Sequence, residues 1–186
     1  MSLSDQRSDA ELVSQCNTGN REEAILAFET LYARHKDYVL RVAYRYLRDA
    51  DLALDVLQET FTYVLRKFPP PGDGLVLTAQ LRTLLYTVAK SHSISCLRKN
   101  SRIESSVEFD PDAIAAPQRE DREVGELMAG LSPKQREIIN LRFVDDLALG
   151  DIAETLGIPV GTVKSRLHGA IRELRNSPFA REFFEK

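Results

Sequence analysis

Basic and polar side chains cluster in a short stretch near the end of the chain. Lys164, Arg166 and Arg172 could each neutralise a phosphate or hydrogen-bond the edge of a guanine base. Thr162 and Ser165 could reach either backbone or base atoms. The residue types alone leave open which residue makes which contact. The chemistry that this cluster indicates is recognition of nucleic acid.

Other kinds of chemistry find no support in the residue pattern. His35, His92 and His168 are scattered, and no cysteine or carboxylate cluster lies at catalytic spacing from them. Cys16 and Cys96 lack the CxxC or Cys/His spacing of a zinc site or redox pair, so we interpret both as reduced structural residues. We expect no catalytic residue, no bound metal and no cofactor.

Two short helices joined by a tight turn are predicted to carry the polar cluster. Gly157 can supply the positive φ that ends the first helix, and Ala148 stands where serine or threonine would cap its start. The apolar side of the second helix is predicted to hold Val160, Val163, Leu167, Ile171 and Leu174. Its opposite side would present Gly161, Ser165, His168 and Arg172. The pattern suits insertion into a DNA major groove. The alternative is that these are ordinary amphipathic helices whose charges only face solvent.

Outside the stretch from Asn100 to about Pro117, apolar positions recur every three or four residues, which predicts an all-α fold. We expect Asp9 to cap a first helix over Glu11–Cys16, then a second helix over Arg21–His35 and a third marked by Val39–Leu47. Asp51 is expected to cap a fourth helix with an apolar stripe of Leu54, Leu57, Phe61, Val64, Leu65 and Phe68. Three prolines stop this helix. The long helix that follows should turn inward Leu81, Leu84, Leu85 and Val88.

A change of composition after residue 100 predicts two small helical domains. Residues 101–118 are acidic and rich in serine, proline and alanine, which is typical of a flexible linker. The domains would then span residues 9–100 and 119–178. The second domain is predicted to hold a shorter set of helices, and a cap, a proline and a capping-box partner mark the start of one at Ser132, Pro133 and Gln135.

The distribution of charge favours contact with nucleic acid at two places. The net charge is only −3, but basic residues precede the acidic linker and recur near the end of the chain. No run of about 18 apolar residues is present to span a membrane, and the polar start lacks the apolar core of a signal peptide. We therefore expect no membrane insertion and a cytoplasmic location.

Two long stretches carry a resemblance to one known family. LSPKQREIINLRF and DIAETLGIPVGTVKSRLHGAIREL resemble the fourth domain of bacterial sigma factors, in particular the small extracytoplasmic-function (ECF) group of the sigma-70 family. FETLYARHKDYVLRVAYRYLRDADLALDVLQETFTYVLRKF is similar to the second sigma domain. The most specific runs are GTVKSRL and DVLQETF. Both matches occur in the order that short sigma factors have, which agrees with two domains and a linker.

The resemblance implies a specificity subunit of core RNA polymerase, and not an enzyme. The subunit would direct the polymerase to promoters, assist DNA melting and have an anti-sigma factor as a further partner. By position, the polymerase-facing residues would be Asp55, Gln58, Glu59 and Thr62. The residues at the minus-ten element would be Arg82, Tyr86, Lys90, Arg98 and Lys99. The residues at the minus-thirty-five element would be Thr162, Lys164, Ser165, Arg166, His168 and Arg172.

Some residues depart from the family pattern. Leu84 takes the place of a common tryptophan, and Ser91 and Ser95 replace the usual asparagine and aspartate. The segment PPPGDGLVLT lengthens the connection from Phe68 to Leu84, where the family keeps its minus-ten specificity loop. Promoter preference therefore does not transfer from relatives. Tyr86 has two open roles, as a base contact or as a half-buried core residue.

Two other functions remain open on the sequence. One is a helix-turn-helix regulator that acts without being a polymerase subunit, although no receiver domain with alternating strands and helices is visible. The other is a sigma mimic that sequesters an anti-sigma factor, which would be expected to lose the basic recognition face that this chain keeps.

Overall fold

The computed structural model describes residues 6–70, 72–104, 128 and 130–177. These residues form helices and no strand, which confirms the all-α prediction. The chain divides into two compact units, residues 1–96 and 97–186. Beyond residue 104 the predicted linker lies outside the described residues, so its limits and those of the two domains stay predictions.

The first two helices begin with reciprocal capping boxes. Helix α1 spans Asp9–Thr18 and α2 spans Arg21–Leu47. The backbone N–H of Ser8 donates to the Glu11 carboxylate at 2.7 Å, and the hydroxyl of Ser8 accepts from the Glu11 N–H. The predicted cap of α1 was therefore wrong by one residue, because Ser8 caps the helix and Asp9 is its first member.

Helix α2 is continuous, and the predicted break after His35 was wrong. Neither glycine nor proline occurs in its 27 residues, so no residue ends the helix locally. His35, Tyr38, Val39 and Val42 are all buried, which continues the three-and-four spacing of the core-facing side. The helix ends where Arg48 adopts a left-handed backbone conformation with φ 57°.

A charged cluster fastens the start of α1 to the middle of α2. One carboxylate oxygen of Asp9 lies 2.7 Å from Nε2 of the buried His35, and the other lies 2.6 Å from Nη1 of Arg34. Nη2 of Arg34 also donates to the carbonyl of Arg7 at 2.9 Å. Burial alone would raise the pKa of Asp9, but hydrogen bonds and charge from His35 and Arg34 outweigh it, and the pKa is lowered.

Helix α3 spans Ala50–Leu65 and packs on α2 through aromatic rings. Its cap is Asp49, two residues before the predicted Asp51, and Asp49 Oδ1 accepts from the N–H groups of Asp51 and Leu52. The ring centroid of Phe28 lies 6.2 Å from those of both Phe61 and Phe68. These edge-on contacts cover the end of α3.

The predicted apolar stripe of α3 is only partly buried. Leu57, Phe61 and Val64 belong to the core as expected. Leu54 and Leu65 are 45% and 51% exposed, so their placement in the stripe was wrong. Both lie about 100° around the helix from the centre of the buried face, beyond the reach of α2.

Helix α4 spans Leu81–Glu104 and closes the first bundle. Of the four residues predicted to turn inward, Leu81, Leu85 and Val88 are buried and Leu84 is half-buried. The helix runs four residues past the predicted domain limit at residue 100. Both thiols are free, and burial raises the pKa of Cys16 to about 11, which agrees with a structural role for this residue.

Within the second unit, the described residues 130–177 form three helices and a small core. Helix α5 spans Pro133–Ile139, α6 spans Leu149–Leu156 and α7 spans Val160–Asn176. Ser132 and Gln135 form the predicted capping box. A π-helical turn over Asn140–Val144, which the sequence did not predict, continues α5. The core cluster contains Met128, Leu131, Ile139 and Ala170, with Leu167, Ile171 and Leu174 packed against it. Among the described residues, no helix combines the length and apolar composition needed to cross a bilayer.

Replacing Asp9 by Asn should destabilise the first unit. His35 and Arg34 would lose a charged partner, which costs roughly 1–3 kcal/mol in the free energy of unfolding at pH 7. Because the folded-state pKa of Asp9 is lowered, its contribution is present above the ordinary value of 3.8 and is lost as the pH falls through the lowered pKa. Urea unfolding, monitored by circular dichroism, should show that the free energies of unfolding of the wild type and the variant become equal in acid. Asp51→Asn, also in the first turn of a helix, is the control, and an equal loss in both variants would contradict the ion-pair role.

Candidate nucleic-acid interface

A tight turn between α6 and α7 sets the direction of the last helix. Gly157 adopts a left-handed conformation with φ 62°, as predicted, and the N–H of Ile158 donates to the carbonyl of Ala153 at 3.0 Å. Pro159 immediately precedes α7. Ala148 precedes α6 without a side-chain cap, also as predicted. The two helices therefore form a helix-turn-helix unit.

One side of α7 is buried and the opposite side faces solvent. Val163 and Ala170 are fully buried, and three leucine or isoleucine side chains are partly buried beside them. The predicted apolar side was wrong at Val160, which is 40% exposed because it lies in the first turn, at the end of the packed surface. The four residues predicted to point outward are all exposed: Gly161, Ser165, His168 and Arg172.

The outward side of α7 gathers the residues predicted to read DNA. Lys164, Ser165, His168 and Arg172 are exposed, whereas Thr162 and Arg166 are half-buried. These six positions span about 15 Å of helix. The hydroxyl of Ser165 donates to the carbonyl of Thr162 at 3.0 Å, which leaves its lone pairs as acceptors. The surface combines small, polar and cationic groups, which can both bond base edges and neutralise phosphates.

A second set of cations lies along α4. Arg82 and Lys90 are half-buried, and Arg98 and Lys99 are exposed. The guanidinium carbon of Arg82 lies 5.2 Å from the centroid of the buried Tyr38 ring. This cation–π contact holds the Arg82 head group against α2 and limits its conformations.

Tyr86 does not share the exposure of these cations. Its side chain is 1% exposed, and its hydroxyl lies 2.9 Å from that of Tyr46 in a buried hydrogen bond. A ring in this position cannot stack on a base unless the bundle opens. Of its two predicted roles, the structure favours a core residue that fixes α4 against α2.

The exposed side of α3 is polar and partly apolar. Asp55, Gln58, Glu59 and Thr62 all face solvent, as expected for the predicted polymerase-facing surface. Leu54 and Leu65 lie exposed at the two ends of this surface. Sequence reasoning missed both leucines because helical periodicity assigned them to the core. The exposed surface of α3 therefore combines acidic, polar and apolar side chains.

The second unit also exposes two apolar side chains that the sequence did not single out. Phe143 and Val144 follow each other at the end of the π-helical turn, and both are exposed. The guanidinium carbon of Arg142 lies 6.0 Å from the Phe143 ring centroid. No periodic signal distinguishes these residues from core positions, because the extra residue of a π turn shifts the helical register.

Comparison with known proteins identifies both units. The family models "Sigma-70 region 2" and "Sigma-70, region 4" match residues 31–103 and 127–176. The ECF RNA polymerase sigma factor SigL of Mycobacterium tuberculosis is 34% identical over 156 residues, which cover 78% of this chain and 85% of SigL. The chain is an ECF sigma factor. SigW of Bacillus subtilis is 26% identical to it over 182 residues, covering 88% and 92% of the two chains.

A solved structure agrees with this fold. Sigma factor RpoE, in its complex with the anti-sigma factor NepR from Bartonella quintana, matches with a TM-score of 0.58 and 24% identity, covering 80% of this sigma factor and 94% of RpoE. Sigma factors are transcription initiation factors and not enzymes, as the sequence predicted. Membership in the family does not favour a regulator that acts without polymerase.

Two glycines of the helix-turn-helix should respond oppositely to alanine. Gly157→Ala places a side chain in the left-handed region and should lower local stability by about 1 kcal/mol. Gly161→Ala lies in a helix with no atom within 4 Å of the added carbon, so it should raise stability by up to about 1 kcal/mol. Native-state hydrogen exchange of the α7 amides measures both. Equal signs for the two variants would contradict the turn geometry.

Proposed function

We propose that this sigma factor binds core RNA polymerase through α3, contacts the minus-ten element through α4 and reads the minus-thirty-five element through α7. The single observation that carries the proposal is the exposed polar and basic side of α7 behind the Gly157 turn. The proposed domain limits are residues 9–100 and 119–178, joined by the acidic linker 101–118.

The polymerase surface is assigned to Asp55, Gln58, Glu59 and Thr62, together with the two exposed leucines beside them. Carboxylates at the rim of an interface steer association and set specificity. Burial of the apolar side chains would stabilise the complex. Both kinds of group are exposed on α3, which supports this assignment.

The minus-ten contacts are assigned to Arg82, Lys90, Arg98 and Lys99. Cations spaced along one helix suit the phosphates of a DNA strand as it separates. Tyr86 enters the proposal as a positioning residue, because its hydrogen bond to Tyr46 holds the part of α4 that carries Arg82 and Lys90.

The minus-thirty-five contacts are assigned to Thr162, Lys164, Ser165, Arg166, His168 and Arg172. A recognition helix enters the major groove and meets base edges with its N-terminal half. Lys164 and Ser165 lie within that half, and the exposed Arg172 lies about two turns beyond Ser165 along α7. Because Gly161 has no side chain, the backbone there can approach the duplex closely.

Further partners follow from the same function. The RpoE structure contains an anti-sigma factor, and we propose that this sigma factor is also held inactive by one. Its place of action would be the cytoplasm, where bacterial polymerase and promoter DNA are found. The assigned contacts are all made by side chains of the chain itself, so the proposal requires no cofactor or metal.

Reconstitution with bacterial core RNA polymerase tests the function directly. The chain should bind core enzyme, and sequencing of the transcripts should reveal a shared promoter motif upstream of the start sites. Failure to bind core enzyme would sink the proposal. Specific DNA binding without core enzyme would favour the helix-turn-helix regulator instead.

Charge reversal should separate the two contact surfaces. Arg172→Glu should weaken promoter binding by the reconstituted holoenzyme at least about ten-fold, because a cation facing DNA becomes an anion. Its affinity for core polymerase should not change. Glu59→Lys should instead lower the affinity for core polymerase. Arg175→Glu, the same charge change three residues further along α7, is the control and should have a smaller effect on promoter binding. A loss of core affinity in Arg172→Glu would show that α7 has another role.

A further inference from the structure

The segment between α3 and α4 folds back on the end of α3. The N–H of Gly72 donates to the carbonyl of Phe68, and the N–H of Gly74 donates to that of Lys67, both at 3.0 Å. A side-chain carbon on Gly72 would lie 2.2 Å from the Lys67 carbonyl oxygen, and Gly74 has φ 107°. Both positions therefore require glycine, and they define a specific path for the residues that follow.

Asn17 of α1 holds this path from the opposite side. The N–H of Leu75 donates to Asn17 Oδ1 at 2.8 Å, and Asn17 Nδ2 donates to the carbonyl of Leu75 at 2.8 Å. One side-chain amide thus bonds both backbone groups of a single residue, which fixes its position and its direction. Leu75 is 9% exposed, and the next residue, Val76, is 82% exposed.

The helix that carries Asn17 is itself firmly attached. Leu12, Val13 and Cys16 are buried, and the thiol of Cys16 lies 3.6 Å from the carbonyl of Ala24 in α2. The cluster of Asp9, His35 and Arg34 ties down the other end of α1. Asn17 is therefore mounted on a rigid support, and the loop over residues 72–80 takes its geometry from that support.

We propose that Asn17 is a positioning residue for promoter recognition. It holds the loop 72–80 so that Val76 faces outward in the segment that leads into α4, whose second residue is Arg82. An exposed apolar side chain in the loop that leads into a cation-bearing helix suits an unpaired base whose phosphates meet the positive charge, so the ligand is the opened strand of the minus-ten element. Asn17 lies outside residues 31–103, which the region 2 family model matches. The inference rests on the proposed role of α4.

Asn17→Ala tests the inference in the reconstituted holoenzyme. Loss of both hydrogen bonds should speed amide exchange at Leu75 by about five-fold or more, with little change in the buried amides of α2. The preference for the cognate promoter over promoters with single-base changes in the minus-ten element should fall by about five-fold. Affinity for core polymerase should stay unchanged. Thr18→Ala, whose hydroxyl bonds only within α1, is the control and should change none of these quantities.

A second variant disturbs the same contact from the loop. Gly74→Ala strains the backbone at φ 107° and brings a carbon to 3.2 Å from Asn17 Oδ1, so it should reproduce the loss of base preference without altering α1. Full preference in both variants, or an equal fall in initiation at every promoter, would overturn the proposal. A wild-type chain that fails to bind core polymerase would instead overturn the proposed function and leave the exchange result standing.

Discussion

The continuity of α2 is the constraint on which the first unit depends. At 27 residues the helix is about 40 Å long, and α1, α3 and α4 all contact it. His35 hydrogen-bonds Asp9 of α1, and Phe28 packs on Phe61 of α3. The hydroxyl of Tyr46 hydrogen-bonds that of Tyr86 in α4. A break in α2 would let these contacts move independently. Because the helix is unbroken, the exposed residues of three other helices keep a fixed spacing.

Local separation of charge explains how an acidic protein can serve two kinds of partner. The net charge of −3 would by itself oppose DNA binding. The exposed acids of α3 and the exposed cations of α4 and α7 belong to different helices, however. At physiological ionic strength such charges act over roughly 8 Å. Each helix therefore presents its own charge to a partner that comes within this distance.

Some features set by neighbouring residues in the chain were predictable, although the caps of α1 and α3 were placed one and two residues too late. Features set by packing were harder to predict. The Ser132 capping box and the left-handed Gly157 follow from residue type and spacing. The outward residues of α7 follow from helical periodicity, which fixes direction within one helix. The exposure of Leu54 and the burial of Tyr86 depend on where other helices lie, so periodicity gave the wrong or an ambiguous answer. Asn17 carried no signal, since its partner is 58 residues away in the chain.

The separation of Asn17 and Leu75 in the chain also affects the order in which the protein folds. Asn17 leaves the ribosome early, but Leu75 follows only after most of the first unit has been synthesised. Contacts between such distant residues form late, because closing a long loop costs entropy before the contact can repay it. The last part of the bundle to settle is therefore the segment that enters α4. A nascent or partly folded chain would form its helices before the loop over residues 72–80 had a defined path.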